Sequence, residues 1–227
     1  TFQHVSKRYE GGVKALQDVS FSLASGEMAF LTGHSGAGKS TLLRLVLMLE
    51  RPSAGKLLVN ERDLRVTPSR HAYLVRQQIG MIFQDHKLLQ EKTVFDNVAL
   101  PLLIAGLDYQ DVGKRVRAAL DMVGLLSRER SWPRMLSGGE QQRVGIARAI
   151  VGMPPILLAD EPTGNLDPEL SRGLFDLFRQ LNEHGVTVLI ASHDLSLIRS
   201  MGQRVLVLSG GHLVDDISAE EVGKAQA

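Results

Sequence analysis

The sequence lacks cysteine, and its charges of opposite sign nearly cancel. With no cysteine among 227 residues, disulfide bonds and thiolate-bound metals are excluded, which fits a reducing compartment. The 26 basic and 25 acidic side chains leave a net charge of +1, so no overall charge draws the chain to nucleic acid or anionic lipid. The chain is long enough to bury a sizeable core.

Long hydrophobic runs are also missing. The longest apolar segments, "LLRLVLML" (42–49) and "VALPLLIAG" (98–106), fall short of the roughly 20 residues that a membrane-spanning helix needs. The first residues, "TFQHVSKRYE", contain no apolar segment of the kind found in secretion signals. We therefore expect a chain that neither crosses a membrane nor is exported, with the cytoplasm as its location.

The order of apolar segments predicts an α/β fold. Continuous apolar runs, rather than alternating ones, are typical of parallel strands that are covered on both faces, and helical patterns separate them here. The predicted strands lie at 26–33, 78–84, 155–161, 187–193 and 204–217, and the last of these is a hairpin. We expect one domain over 1–227, with an early β-rich part and an inserted helical lobe at about 86–152.

A glycine-rich segment after the first of these strands predicts a phosphate-binding loop. The sequence "GHSGAGKST" (33–41) matches G-x-x-x-x-G-K-[ST] and is followed by an apolar helix, as that loop requires. Glycines allow successive backbone N–H groups to surround the β- and γ-phosphates of a nucleotide. Lys39 would bind their oxygens, and Ser40 would bind Mg²⁺. The predicted loop consists of Gly33, His34, Ser35, Gly36, Ala37, Gly38, Lys39, Ser40 and Thr41.

Polar residues end three other predicted strands. Asp160 closes "ILLAD" and is the predicted metal carboxylate, and Glu161 is the predicted general base for water, unless it is a surface carboxylate. His193 ends "LIASH" and could contact the γ-phosphate, although a lone histidine is more often a surface or core residue. Gln84 ends "MIFQ" and could reach Mg²⁺ or the attacking water, or could simply be a turn residue.

A second glycine pair opens a helix later in the chain. In "LSGGEQQR" (136–143), Ser137 and Glu140 match the S-x-x-E capping box. Gly138 and Gly139 disfavour a helix by about 1 kcal/mol each relative to alanine, so capping alone does not account for them. A helix N-terminus without side chains is an anion site, and we interpret this segment as one.

Together these motifs resemble the ATP-binding cassette family over essentially the whole chain. The resemblance implies a P-loop NTPase with a RecA-like parallel-sheet core, an N-terminal antiparallel β subdomain and an inserted α-helical subdomain. It identifies "LSGGEQQR" as the signature motif, Gln84 as the Q-loop residue, "GNLD" (164–167) with Asp167 as the D-loop, and His193 as the switch histidine. Tyr9 matches the adenine-stacking position, or is an ordinary exposed tyrosine.

The resemblance also implies an ATP-dependent homodimer. In the family, the signature motif lies too far from its own chain's nucleotide and contacts the ATP of the other subunit. Ser137, Gly138 and Gly139 of one chain would then close over the γ-phosphate that Lys39 of the other chain holds. ATP and Mg²⁺ are the expected cofactors, and hydrolysis would reopen the dimer.

The segments "ERPSAGK" and "RQQIGMIFQDHKLL" resemble the cell-division branch of the family. That branch implies an FtsX-type integral membrane partner, a periplasmic activator of peptidoglycan hydrolases, and a peripheral location on the inner membrane at the septum. An ATPase of a lipoprotein-release or macrolide-type efflux system stays an alternative, as does a nucleotide-gated scaffold with negligible hydrolysis. An apolar cluster after Gln84 could line a groove for a short helix of this partner, or could belong to the hydrophobic core of the helical lobe. Its members are Leu88, Leu89, Phe95, Val98 and Leu102.

Overall fold

A computed structural model describes residues 1–164 and 166–224. The chain forms two compact units. The first unit is Thr1–Arg76 with the chain from Thr187 onward, and the second is Gln77–Val186. The elements in chain order are β1 (Phe2–Arg8), β2 (Lys14–Phe21), β3 (Met28–Thr32), α1 (Lys39–Val46), β4 (Ala54–Val59), β5 (Arg62–Asp63), α2 (Ala72–Arg76), β6 (Ile79–Ile82), α3 (Val94–Ile104), α4 (Tyr109–Met122), α5 (Gly138–Ile150), β7 (Ile156–Asp160), α6 (Pro168–Glu183), β8 (Thr187–Ala191), α7 (Leu195–Met201), β9 (Arg204–Ser209), β10 (His212–Ile217) and α8 (Ala219–Lys224).

The first unit contains an antiparallel sheet in the order β2-β1-β4-β5. β1 and β2 each contain buried residues among exposed and half-buried ones, without strict alternation, and register shifts interrupt their pairing. Val5, Val19 and Leu57 are fully buried on the inner face. Phe2 and Phe21, which are partners in the β1–β2 register, stack with ring centroids 4.6 Å apart. This sheet accounts for the early β-rich part of the sequence.

The same unit contains three of the parallel strands that the apolar runs predict, β3, β8 and β9. β3 lies between β8 and β9 and is parallel to both, and all five of its residues are buried. β9 and β10 form the predicted hairpin. Gly210 and Gly211 connect these two strands with φ values of 55° and 83°, which is the positive-φ pair that a two-residue type I′ turn requires.

Among the described residues, the second unit combines two parallel strands with four longer helices, α3, α4, α5 and α6. β6 and β7 pair in parallel, and α3, α4 and α5 occupy the block that the sequence predicts to be helical. Val98, Val116 and Val144, one from each helix, are fully buried. The expected α/β P-loop class is confirmed, whereas the boundaries of the inserted helical lobe stay a prediction. Within the two described stretches, we find no helix with the length and hydrophobicity to span a membrane.

Candidate functional site

The glycine-rich loop connects β3 to α1 and depends on glycine at defined positions. Gly33, Gly36 and Gly38 have φ values of 145°, 78° and 111°. A Cβ on Gly33 would lie 2.2 Å from the carbonyl oxygen of Leu208, and one on Gly38 would lie 2.5 Å from that of Ala15. Both the backbone angle and the close approach therefore exclude a side chain at Gly33 and Gly38.

Lys39 begins α1 and folds back over the loop. Its side chain is buried, and Nζ donates to the carbonyl oxygens of Gly33 at 2.7 Å and His34 at 3.3 Å. These bonds hold the ammonium group inside the ring of backbone that the loop forms. Ser40 follows in the first turn of α1, where unsatisfied N–H groups and the helix dipole favour an anion.

The remaining loop residues differ in exposure. His34, Ser35 and Gly36 are exposed, whereas Ala37 is buried. The backbone N–H of Ala37 donates to the carbonyl oxygen of His34 at 3.0 Å, which closes a tight turn. The loop thus presents mainly backbone, as expected for a phosphate-binding nest.

Tyr9 is half-buried and anchored to α1 and the turn that follows it. Its hydroxyl donates to Oε1 of Glu50 at 2.7 Å and lies 3.3 Å from Oγ1 of Thr41. Lys7 lies 5.0 Å from the centre of the Tyr9 ring and forms an ion pair with Glu50 at 3.1 Å. Burial alone would raise the pKa of Glu50. The hydrogen bonds from Tyr9 and Lys7, together with the positive charges of Lys7 and Arg44, have the larger effect, so the pKa of Glu50 is lowered overall. The ring is therefore held beside the phosphate-loop helix, and its adenine-stacking role stays a prediction.

His193 and the glycine-rich loop follow neighbouring parallel strands of the first unit. Leu31 of β3 is the register partner of Ala191 of β8. The carboxyl ends of parallel strands lie at the same edge of a sheet, so Gly33 and His193 both leave from that edge. This arrangement is compatible with the predicted γ-phosphate role of His193.

The residues on either side of His193 are fixed. Ser192 is buried, and its hydroxyl accepts from the backbone N–H of Asp194 at 3.2 Å. Asp194 caps α7 by accepting from the N–H of Leu197 at 3.1 Å. A hydrogen bond from the Ser196 hydroxyl is the main cause of a lowered pKa for Asp194, and the bond from the Leu197 N–H adds to the effect. The Asp194 carboxylate is therefore ionised at neutral pH. The exposed imidazole of His193 therefore extends from a constrained backbone.

Gln84 follows β6, whereas Asp160 is the last residue of the neighbouring strand β7 and Glu161 comes directly after it. Ile82 of β6 is the register partner of Ala159 of β7, so the two segments leave the same edge. Gln84 is exposed, whereas Asp160 and Glu161 are half-buried. Glu161 has a φ of 48°, a conformation that costs a non-glycine residue about 1–3 kcal/mol and that clusters at functional sites.

The predicted capping box at Ser137 is confirmed. The Ser137 hydroxyl accepts from the backbone N–H of Glu140 at 3.2 Å, and Oε2 of Glu140 accepts from the N–H of Ser137 at 2.8 Å. The N–H of Ser137 is the main cause of a lowered pKa for Glu140, with the Ser137 hydroxyl and Arg128 adding to the effect. Glu140 is therefore ionised at neutral pH and fixes the start of α5.

Gly138 is not required by the packing of its own chain. A Cβ at this position would meet no atom within 4 Å, and its φ is not positive. Glycine weakens the first turn of a helix relative to alanine, and no contact of Gly138 with the described residues accounts for its presence. Ser137 and Gly138 are exposed and Gly139 is half-buried, which leaves this helix start accessible.

Asp167 caps α6, as the Asp-Pro pair predicts. Its Oδ1 accepts from the backbone N–H groups of Glu169 at 3.0 Å and Leu170 at 2.9 Å. Asn165, also within the predicted D-loop segment, lies outside the described residues. The contribution of Asp167 to a dimer stays a prediction.

The expected partner groove is wrong for three of its five residues. Leu88, Val98 and Leu102 are buried in the second unit and therefore do not line an open groove. Leu89 is 44% exposed. Phe95 is half-buried, with its ring centre 5.7 Å from the guanidinium carbon of Arg117. The apolar pattern around α3 therefore belongs mainly to the core.

Two further residues of the second unit, Gln142 and Arg148, lie outside the predicted site and connect its segments. Gln142 is 2% exposed and donates a hydrogen bond to a backbone carbonyl in the loop after β7. Arg148 donates hydrogen bonds to two backbone carbonyls in the loop after β6. The sequence does carry a signal for Gln142, because it shares one helical stripe with Gly145, Ile146 and Ala149, all of which are buried. A polar residue on such a stripe needs a specific partner.

Each of the three residues predicted to bind the metal carries an oxygen donor of the kind that magnesium prefers. Over residues 1–164 and 166–224 there is no group of three His, Cys, Asp or Glu side chains that could hold a metal ion. Mg²⁺ in nucleotide sites is usually held by one or two protein oxygens together with phosphates and water, so it needs no such group. The Ser40 hydroxyl, the Asp160 carboxylate and the Gln84 amide oxygen are donors of this kind.

Comparison with known proteins gives consistent matches. The family model described as ABC transporter matches residues 16–164. The chain is 58% identical over 219 residues to the "Cell division ATP-binding protein FtsE" of Escherichia coli strain K12, covering 96% of this chain and 99% of that one. It is 42% identical over 221 residues to the protein of the same name from Bacillus subtilis strain 168, covering 97% of each chain.

A solved structure shares the fold. The dimeric structure of a post-hydrolysis state of the ATP-binding cassette MJ0796, bound to ADP and Pi, superimposes with a TM-score of 0.91 at 32% sequence identity. The match covers 96% of this chain and 97% of that one.

Proposed function

Because this chain belongs to the ATP-binding cassette family and is an ATPase, we propose that it drives a membrane-associated complex of bacterial cell division. In this proposal, ATP closes a homodimer and hydrolysis opens it again. An FtsX-type integral membrane partner passes this movement to a periplasmic activator of peptidoglycan hydrolases. The chain would act as a peripheral protein on the cytoplasmic face of the inner membrane, at the division septum.

The glycine-rich loop is the observation that carries the nucleotide part of the proposal. Its positive-φ glycines and the inward-facing Lys39 leave a ring of backbone with a cation inside it. Such a ring binds the β- and γ-phosphates of a nucleotide. In the proposal, the Tyr9 ring stacks on the adenine, and the bond from its hydroxyl to Glu50 keeps the ring in place.

Ser40, Asp160 and Gln84 are the residues that would hold Mg²⁺. When bound, the ion neutralises charge that develops on the transferred phosphoryl group. Glu161 accepts a proton from the attacking water, and His193 donates a hydrogen bond to the γ-phosphate. The constrained backbone at both residues supports these roles, since catalysis requires side chains that are held in position.

The signature segment would act on the nucleotide of the other subunit. The structural relative MJ0796 is dimeric, and in the proposal two copies of the present chain pack head to tail. Ser137, Gly138 and Gly139 then contact the γ-phosphate held by Lys39 of the second copy, and two-fold symmetry generates two equivalent sites. The unexplained glycine at position 138 supports this arrangement.

The energies are sufficient for a nucleotide-dependent switch. Changing a two-state population from 1:99 to 99:1 needs about 5.5 kcal/mol. Hydrogen bonds to charged groups contribute about 1.5–3 kcal/mol each, so two at each of two sites are enough. ADP lacks the γ-phosphate and would not favour the closed dimer, because a ligand shifts an equilibrium only by its differential affinity.

The division role is supported by the relatives of the same name, which match this chain along almost their whole length. The test is a pull-down from detergent-solubilised membranes of the native host, with Glu161→Gln protein and ATP, followed by identification of the integral protein that is recovered. We expect an FtsX-like protein, and we expect its recovery to fall when ADP replaces ATP. Recovery of a lipoprotein-release or efflux permease instead would overturn the division role and leave the nucleotide assignments in place.

A further inference from the structure

Helix α5 carries the signature segment at its N-terminus and also contacts the two loops that follow β6 and β7. These loops contain Gln84 and Glu161, respectively. All three segments lie in the second unit. The contacts are made by Gln142 and Arg148, one near each end of the helix.

Gln142 bonds to the residue that directly follows Glu161. Its Nε2 donates to the carbonyl oxygen of Pro162 at 2.9 Å, and the side chain is 2% exposed. Glu161 has the unfavourable φ of 48°, which persists only when the surrounding structure restrains the backbone. A buried amide bonded to the next carbonyl is a restraint of that kind, because breaking it would leave both polar groups unpaired.

Arg148 holds the loop after Gln84 in the same way. Its two terminal nitrogens donate to the carbonyl oxygens of His86 at 2.6 Å and Lys87 at 2.7 Å. His86 and Lys87 have φ values of 58° and 48°, so two successive residues adopt the left-handed conformation. Burial lowers the pKa of Arg148, although the guanidinium keeps its charge at any physiological pH.

The C-terminal part of α5 is seated directly on β6. A Cβ on Gly80 would lie 2.3 Å from the carbonyl oxygen of Ala149 and 2.9 Å from the Pro154 ring. The backbone of α5 is therefore in direct contact with the backbone of β6. Because protein interiors are close-packed, a shift of one of these elements displaces the other. A movement of α5 has to move β6 or break this contact.

We propose that Gln142 and Arg148 are positioning residues that couple Glu161 and Gln84 to the helix bearing Ser137. When Ser137 engages a γ-phosphate and α5 shifts, the two bonds carry the shift to the general base and to the Q-loop residue. The inference rests on the proposed function, since it assumes those roles for Ser137, Glu161 and Gln84. Neither Gln142 nor Arg148 contacts the nucleotide in this account.

The first test replaces Gln142 with methionine, which keeps a similar volume and removes the N–H donor. We expect kcat for ATP hydrolysis to fall by about tenfold or more, as for a misplaced catalytic group. The Kd for ATP should change less than twofold, because the phosphate-binding loop lies elsewhere. Gln110→Met on the exposed face of α4 is the matched control and should retain the parent kcat. An unchanged kcat in Gln142→Met would overturn the inference.

A second substitution separates positioning from a general structural role. Gln142→Glu places a carboxyl group against the Pro162 carbonyl, and burial there raises the pKa of a carboxyl group. Its protonated form can donate the missing hydrogen bond, so the ratio of its kcat to that of the parent should rise as the pH falls from 8 to 6. A ratio that stays constant over this range contradicts the positioning role, and this variant decides the matter if Gln142→Met does not fold.

Arg148→Lys tests the other contact. Lysine keeps the positive charge but lacks the planar pair of donor nitrogens that bond the carbonyl oxygens of His86 and Lys87. We therefore expect a lower kcat with an unchanged Kd for ATP. Arg115→Lys on α4 is the control, because Arg115 is exposed. Glu161→Gln is measured in parallel. If Glu161→Gln hydrolyses ATP at the parent rate, the proposed catalytic role of Glu161 fails. If Glu161→Gln is inactive and the Gln142 and Arg148 variants hydrolyse ATP as the parent does, only the coupling fails.

Discussion

The Nζ atom of Lys39 lies 2.7 Å from the carbonyl oxygen of Gly33, so the lysine at the start of α1 is bonded to the first glycine of its own loop. The bond joins the first and seventh residues of the loop at 33–41. It holds the ammonium group of Lys39 against the loop backbone, which reduces the ordering that phosphate binding requires.

Lys39→Ala should abolish measurable ATP binding, because the ring then lacks the cation that pairs with the β- and γ-phosphates. Isothermal titration calorimetry with ATP and Mg²⁺ measures the effect. Lys56→Ala, at an exposed position of β4, is the control and should bind as the parent does. An ATP affinity of Lys39→Ala near that of the parent would contradict the assignment of the loop.

Gly33→Ala should lower the free energy of unfolding by about 1–3 kcal/mol, as expected for overpacking. The added Cβ would lie 2.2 Å from the carbonyl oxygen of Leu208. Gly173→Ala, inside α6 with open space around the new Cβ, should instead stabilise the protein by about 0.5–1 kcal/mol. Urea unfolding measures both changes, and equal stabilities for the two variants would refute the packing argument.

Glu161→Gln should retain ATP binding and lose hydrolysis, because the amide cannot accept the proton of the attacking water. ATP should then hold the variant as a dimer, which size-exclusion chromatography with multi-angle light scattering detects. Glu183→Gln at the exposed end of α6 should hydrolyse ATP at the parent rate. Hydrolysis by Glu161→Gln at that same rate would remove Glu161 from its role.

Glu140→Gln should make stability less sensitive to acid. The folded-state pKa of Glu140 is lowered, so its contribution is fully present above the pKa of about 4.3 typical of an unfolded chain. That contribution is lost as the pH falls through the lower, folded-state pKa. The difference in unfolding free energy between parent and variant should therefore shrink from pH 7 to pH 3. A difference that is constant with pH would show that the Glu140 charge contributes nothing.

The parts of the site that could be predicted are those encoded in contiguous segments. The loop at 33–41, the capping box at Ser137 and the Asp-Pro start of α6 each depend on residues within a few positions of one another, so local spacing is sufficient. The uninterrupted apolar runs also predicted β7 with Asp160 as its last residue, whereas β8 ends at Ala191, two residues before His193.

Contacts between distant segments could not be predicted in this way. Gln142 and Pro162 are 20 residues apart, and Arg148 and His86 are 62 apart, so only the folded helix brings them together. The groove around α3 was wrong because apolar spacing on a helix does not tell which side another helix covers. Val98 and Leu102 are buried, and α3 as a whole packs against α4 and α5. The sequence pattern alone is the same for a core face and a docking face.

The central claim is that each ATP is bound by the loop of one chain and the signature segment of the other. It is tested by the ATPase rate of an equal mixture of Ser137→Arg and Lys39→Ala chains. Each mixed dimer would hold one site with Lys39 and Ser137 both intact and one site with both changed. We predict a rate well above that of either variant alone, up to about one quarter of the parent rate for random pairing of two-fold dimers. A mixture no more active than the two variants measured separately would contradict the shared site.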